Sequence, residues 1–180
     1  MKMFYMAIVL PQELNEPILR FKEYMQERYE CKVGLKSPAH ITIVPPFWLL
    51  PEREDGLRSD LDLLAGRLHP FPLSTNNFSA FKPRTIYIDV AHSEALDEVK
   101  KQADQFFGER PQYGIKTENR PFRPHITIAT RDLHKSAFAE AWEHFKNKEF
   151  KKDWTAEGLS LLRHNGRNWD VIQTSRFQNS

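Results

Sequence analysis

Two tetrapeptides carry the chemistry this chain can do: His40-Ile41-Thr42-Ile43 and His125-Ile126-Thr127-Ile128, each entered through a proline-containing approach, Pro38-Ala39 and Arg123-Pro124. Residues two apart on a strand share a face, so each copy sets an imidazole beside a hydroxyl and turns both Ile side chains the other way. One such strand offers a single proton-transfer group. Two brought together offer an acid, a base and two hydroxyl donors, which in-line substitution at a phosphate can use without a metal.

The elements that must position these residues also occur twice. An apolar strand, Phe4 to Leu10 or Thr85 to Val90, precedes an amphipathic helix in each half. In the first half Asn15 is expected to cap that helix, with Pro17 in its first turn and Leu14, Ile18, Phe21 and Met25 as its apolar stripe. In the second half the stripe is Leu96, Val99, Ala103 and Phe106. A loop, the His-Ile-Thr-Ile strand and a second helix follow, the latter read from Leu57, Leu61, Leu64 and Leu68, and again from Phe138, Trp142 and Phe145. Strand-like segments, Leu73 to Phe81 and Gly158 to Leu162, close the halves, and Trp169 to Thr174 reads as a final strand.

Length and composition set bounds on this picture. With 180 residues, 40% of them apolar, the chain can build a substantial core, and residues 1–180 are expected to form one domain of two lobes, from repeats at about 3–82 and 84–176. Lys and Arg number 26 against 24 Asp and Glu, without the basic excess that grips long nucleic acid by counterion release. A small anionic ligand or an RNA end fits that balance; DNA is not an expected partner. The single Cys31 excludes an intramolecular disulfide framework and suits a reducing compartment, so a cytoplasmic location is expected. Met3 to Leu10 reads as the first strand rather than a leader, and no segment has the length of a membrane span. A monomer is the default expectation, since no heptad pattern appears.

At the paired motifs the chain resembles the two-histidine (2H) phosphoesterase superfamily, whose members include bacterial 2′-5′ RNA ligases and cyclic nucleotide phosphodiesterases. The resemblance covers nearly the whole chain and extends to Leu159-Ser160-Leu161-Leu162, Gly166 and Trp169-Asp170-Val171-Ile172, which look like the family's closing hairpin. It implies an α+β fold of two pseudo-symmetric lobes, with mostly antiparallel sheets, helices on the outside and a central cleft. It further implies His40 and His125 as an acid–base pair, Thr42 and Thr127 as donors to the non-bridging phosphate oxygens, a cyclic phosphodiester of a nucleotide or RNA end as substrate, and no cofactor. Two imidazoles suit the task, because a pKa near ~6.5 lets one be neutral while the other is charged. Which of them is the base stays open at this point.

Groups around the motifs suggest a substrate rim. Phe47 and Trp48 follow the first motif, and Phe122 and Arg123 precede the second; aromatic faces can stack a base, though for Phe47 and Trp48 a place in the core or at the lobe junction is slightly favoured over base contact. Arg123, Arg131 and Lys36 are candidate phosphate donors, and Tyr113 and Lys116 fall in the loop before the second motif. The other histidines, His69, His92, His134, His144 and His164, show no metal-ligand spacing, and no carboxylate lies within either motif, so no metal is expected. Three alternatives remain: joining of RNA ends through a 2′-5′ linkage, a nucleotide- or RNA-binding module without turnover, and a purely structural pairing of the lobes.

Overall fold

Alternation of apolar with half-open positions builds the two strands that matter most. In both His-Ile-Thr-Ile segments the Ile side chains are buried while His and Thr stay half-open. The structure, a computed structural model, describes residues 1–179. In chain order it runs β1 (Lys2–Val9), α1 (Gln12–Tyr29), β2 (His40–Leu49), α2 (Glu54–Ala65), β3 (Phe71–Phe81), β4 (Thr85–Val90), α3 (Glu94–Gly108), β5 (His125–Ala129), α4 (Lys135–Phe145), β6 (Asp153–Ala156), β7 (Gly158–His164) and β8 (Trp169–Arg176). All strand pairings are antiparallel, in two four-stranded sheets of order β2-β1-β7-β8 and β5-β4-β3-β6. The fold is thus α+β, its sheets curling into a half-barrel, and each His-Ile-Thr-Ile strand lies at one edge of its own sheet. Among the described residues no helix is long and apolar enough to cross a membrane.

The sheets do not follow the sequence halves expected at 3–82 and 84–176. Strand β3, which closes the first half, pairs with β4 and β6, while β7 and β8, from the end of the second half, pair onto β1. Helices exchange partners too, with α1 packing on β5 and α3 on β2. Periodicity specifies elements but not which sheet edge receives them, so the exchange leaves no local trace in the sequence.

One apolar cluster runs through both sheets and contains Ile41, Ile43, Ile126 and Ile128 together with Leu57, Leu61 and Leu64 of α2 and Phe107 of α3. Each such side chain contributes roughly 1.5–3 kcal/mol on burial, so the strands bearing His40 and His125 are anchored by their opposite faces. On α1, Leu14, Ile18 and Met25 are buried as the stripe predicts; Phe21 is half-buried and sets its ring edge-on to Phe78 at 5.0 Å. The expected cap moves, however. The helix begins at Gln12 with Pro11 at the cap position, so Pro17 lies inside it, and the Asn15 side chain instead accepts a hydrogen bond from the Ala39 amide at 2.8 Å. Asn15 therefore ties α1 to the residue directly before His40.

Candidate active site

His40 and His125 are held in the same way. The Nδ1 of His40 lies 2.7 Å from the Pro38 carbonyl, and the Nδ1 of His125 lies 2.7 Å from the Arg123 carbonyl, in each case two residues upstream. A carbonyl only accepts, so in neutral histidine the proton resides on Nδ1 and Nε2 is left as the free acceptor. The approach that precedes each motif thereby fixes the tautomer. Below each imidazole lies a tyrosine of the neighbouring strand: Tyr5 of β1 at 5.0 Å from His40, and Tyr87 of β4 at 5.2 Å from His125. Phe81 of β3 adds an edge-on contact to His125 at 5.1 Å.

Burial pushes both imidazoles below the ordinary histidine pKa. For His40 the value falls to about 4: desolvation dominates, the Pro38 carbonyl opposes it, and the charges of Lys22 and His125 add to it. His125 is lowered by burial and raised in part by its hydrogen bond to Arg123. Thr42 and Thr127 are half-buried beside them, and neither hydroxyl takes part in a hydrogen bond among the described residues. Both remain available to a ligand.

A cleft of about 570 Å³ opens between the sheets, with walls that include Thr42, Phe81, Lys100, Phe122, Arg123 and His125. Two of the expected rim residues, Phe122 and Arg123, therefore belong to it. Lys100 reaches the cleft from α3, donating to the Ile43 carbonyl at 2.8 Å and to Asp104 at 3.0 Å, and Arg120 and Glu118 lie on its outer edge. Sequence reasoning singled out neither Lys100 nor Phe81, since their access to the site depends on α3 crossing onto β2 and β3 crossing beside β4.

Other expectations fail for physical reasons. Phe47 is buried and stacks on Phe4 at 6.1 Å, so it is a core residue and presents no face to a base. Alternation continued from Ile41 and Ile43 puts Phe47 on their buried face, and two register slips, one between Ala7↔Thr42 and Met6↔Val44 and one between Met6↔Val44 and Phe4↔Phe47, together leave that parity unchanged. Trp48, opposite Met3, is the exposed ring, 59% open to solvent. Lys36 ends a 3-10 turn (Val33–Lys36) and Arg131 sits in the turn after β5; both are exposed and neither is among the cleft walls. Tyr113 is buried with its hydroxyl donating to Asp60, which removes it from the rim, whereas Lys116 is exposed. Of the remaining histidines, His144 stacks on Tyr24 at 3.8 Å, His69 meets the Gln178 carbonyl and His164 accepts from the Gly166 amide. Among the described residues no three His, Cys, Asp or Glu side chains come together as a metal-holding group.

Comparison with known proteins bears on this arrangement. A provisionally named phosphoesterase of Bacillus cereus (strain G9842) is 27% identical over 156 residues, covering 83% of this chain and 84% of its own length. The RNA 2′,3′-cyclic phosphodiesterase of Bacillus subtilis (strain 168) is 25% identical over 121 residues, covering 65% of this chain and 60% of that protein. Among solved structures, the protein TT0787 of Thermus thermophilus superposes with a TM-score of 0.71 at 18% identity over 99% of this chain and 100% of that one. Escherichia coli LigT complexed with 3′-AMP gives 0.68 at 18% identity over 99% of each chain. These structural likenesses establish the shared fold. The sequence profile of the 2′-5′ RNA ligase superfamily matches residues 10–168, so the chain belongs to that superfamily, among the two-histidine phosphoesterases.

Proposed function

We propose that the protein is a metal-independent phosphodiesterase that opens the 2′,3′-cyclic phosphate of a nucleotide or an RNA end, with His40 and His125 as its acid–base pair and Thr42 and Thr127 as oxyanion donors. The observation that carries this reading is the matched pair of imidazoles, each fixed through Nδ1 by a carbonyl two residues upstream and each beside a free threonine hydroxyl. The naming of a relative as an RNA 2′,3′-cyclic phosphodiesterase supports the substrate class.

In hydrolysis one Nε2 takes the proton of the attacking water as its oxygen bonds to phosphorus. The other Nε2–H gives its proton to the ribose oxygen as the P–O bond breaks. The threonine hydroxyls donate to the non-bridging oxygens, where negative charge gathers, and Arg123 offers a charge-assisted donor at the mouth of the cleft. Run in the same direction with the 5′-hydroxyl of a second RNA end in place of water, the same groups join RNA ends: its oxygen bonds to phosphorus, its proton goes to one Nε2, and the departing ribose 3′-oxygen takes the proton of the other.

The test is hydrolysis of the four 2′,3′-cyclic mononucleotides in chelator by wild type, His40→Ala and His125→Ala. Turnover in chelator that falls by roughly 10²–10⁴-fold in each variant is expected, the span of general acid–base contributions. Undiminished turnover in either variant would overturn the acid–base assignment, and binding without turnover on mononucleotides and short RNA alike would favour a binding module.

A further inference from the structure

The face of the β2-β1-β7-β8 sheet that carries His40 continues past it as a series of rings. The Tyr5 ring lies 5.0 Å from His40, the Trp169 ring 4.6 Å from Tyr5, and the His164 ring 4.9 Å from Trp169. Strand register accounts for the series. Tyr5 pairs with Leu162 across β1 and β7, and His164 pairs with Trp169 across β7 and β8, so alternation keeps all four on one face. Met3, two residues before Tyr5, shares that face and pairs with Trp48 of β2. The face thus begins at a candidate acid–base group and ends at an indole 59% open to solvent.

Exposed apolar side chains scattered singly need no explanation. Here they share one face: Trp48 and Val171 are exposed, and Met3 and Trp169 are half-buried beside them. The turn that presents Trp169 is braced from within. Asn165 Oδ1 accepts from the Arg167 and Asn168 amides at 2.9 and 2.8 Å, its Nδ2 donates to both Asp170 oxygens, and the Gly166 amide donates to His164 Nδ1 at 3.2 Å. Arg167 stands exposed at the tip of this preformed turn, so little order remains to be imposed when a ligand binds.

We propose that this face is a platform for single-stranded RNA: Trp169 and Trp48 stack bases of the strand whose end carries the reacting phosphate, Arg167 meets a phosphate of the same strand, and the substrate is therefore an RNA 3′ end rather than a free mononucleotide. This rests on the phosphodiesterase reading above. A phosphate held at His40 that ends an RNA brings the bases of that strand with it, and the rings in contact with His40 are the ones they meet first. Aromatic faces stack any base, and a guanidinium adds a charge-assisted donor. Continuity with His40 and a cation at the border match a polyanion with planar bases better than the apolar surface of a protein partner. The near balance of 26 basic and 24 acidic residues limits the platform to a short stretch of strand.

The experiment compares kcat/KM on a 2′,3′-cyclic mononucleotide with kcat/KM on an RNA tetranucleotide ending in the same cyclic nucleotide. Wild type is expected to favour the tetranucleotide by roughly 10-fold or more, the scale on which stacked bases contribute. Trp48→Ala and Arg167→Ala, both at exposed positions, are each expected to cut that preference by about 3-fold or more, and Trp48→Phe to keep most of it. A second arm needs no turnover. A tetranucleotide ending in a 3′-phosphate is expected to quench the tryptophan fluorescence of wild type, to quench that of Trp48→Phe less, and to bind more weakly as salt rises. Equal kcat/KM on the two substrates in wild type, or a preference unmoved in both alanine variants, would overturn the platform. So would a Trp48→Ala variant that alters the sedimentation of the chain while its RNA preference stands, which reassigns the patch to contact between protein chains. Should neither substrate be hydrolysed, the phosphodiesterase reading fails, and the quenching arm still decides whether the face binds RNA.

Discussion

At the scale of single residues, the candidate site holds two histidines that are poor at holding protons. Both imidazoles lie below their ordinary pKa, His40 at about 4, because burial strips water from the charged form. The rate constant kcat/KM needs the base unprotonated and the acid protonated in the free enzyme, so it rises as pH climbs past the lower value and falls past the higher. Its maximum is therefore expected on the acid side of ~6.5, the ordinary histidine value, and a bell centred above about pH 7.5 would contradict the electrostatics described. The same shift has a consequence for stability: between pH 6.5 and 4 the unfolded chain binds a proton that folded His40 refuses, so stability is lost as pH falls through that window. Thr42→Val and Thr127→Val keep the shape of each strand and remove one donor. Each is expected to lower kcat by about 10²-fold with little change in KM, the loss seen when one oxyanion donor is removed. Steady-state kinetics at saturating substrate checks this, and a variant with unchanged kcat takes its threonine out of the mechanism. The half-open placement of these four residues on β2 and β5 was legible in the sequence because strand alternation and repetition act locally. Phe47 lay within reach of the same alternation, six residues on from Ile41 on the buried face, and the run Pro45-Pro46 hid that continuity of the strand.

At the scale of elements, the question is what keeps the His40 strand in place, and the answer lies in the segment from Cys31 to Ala39. Three ties hold it: Asn15 of α1 on the Ala39 amide, Lys22 of α1 on the Ser37 carbonyl, and Asp132 on the Lys32 and Val33 amides. Gly34 makes the fit possible, since a Cβ there would collide with the Ile128 carbonyl of β5. The segment is thereby clamped against the strand that carries the second histidine. Asn15→Ala leaves the Ala39 amide without its acceptor in a half-buried place, an expected loss of about 1–3 kcal/mol in urea unfolding. Catalysis should fall as well, because Ala39 and His40 are adjacent. A variant of wild-type stability would show that water satisfies the amide and that this tie is dispensable. Asn15 read as a helix cap in the sequence, a reasonable use of its oxygen within a single helical turn. Its real partner is 24 positions away, and no local pattern encodes that distance.

At the scale of the whole molecule, duplication and exchange have opposite effects. Duplication puts an identical His-Ile-Thr-Ile strand at the edge of each sheet, and contact between β2 and β5 brings the two edges together. Exchange makes the lobes interdependent: without β7 and β8 the first half retains only the β1–β2 pair in its sheet, and without β3 the second half loses the strand that joins β4 to β6. A two-stranded remnant is marginal in water, since it cannot cover its apolar face. The fragments 1–82 and 84–176 are therefore expected to be unfolded when made separately, despite each containing a complete copy of the repeat, and to regain native far-UV circular dichroism and hydrolysis only when mixed or co-expressed. Intact chain is expected to unfold in one cooperative step, with coincident transitions for tryptophan fluorescence and far-UV dichroism. A fragment that folds alone, or an intact chain with two separated transitions, would mean that the lobes are energetically independent. The paired histidines would then depend on a soft interface between lobes. With the exchange in place, the strands that carry His40 and His125 are held by the same core that holds the molecule together, so on the proposed mechanism acid and base would be positioned before any substrate arrives.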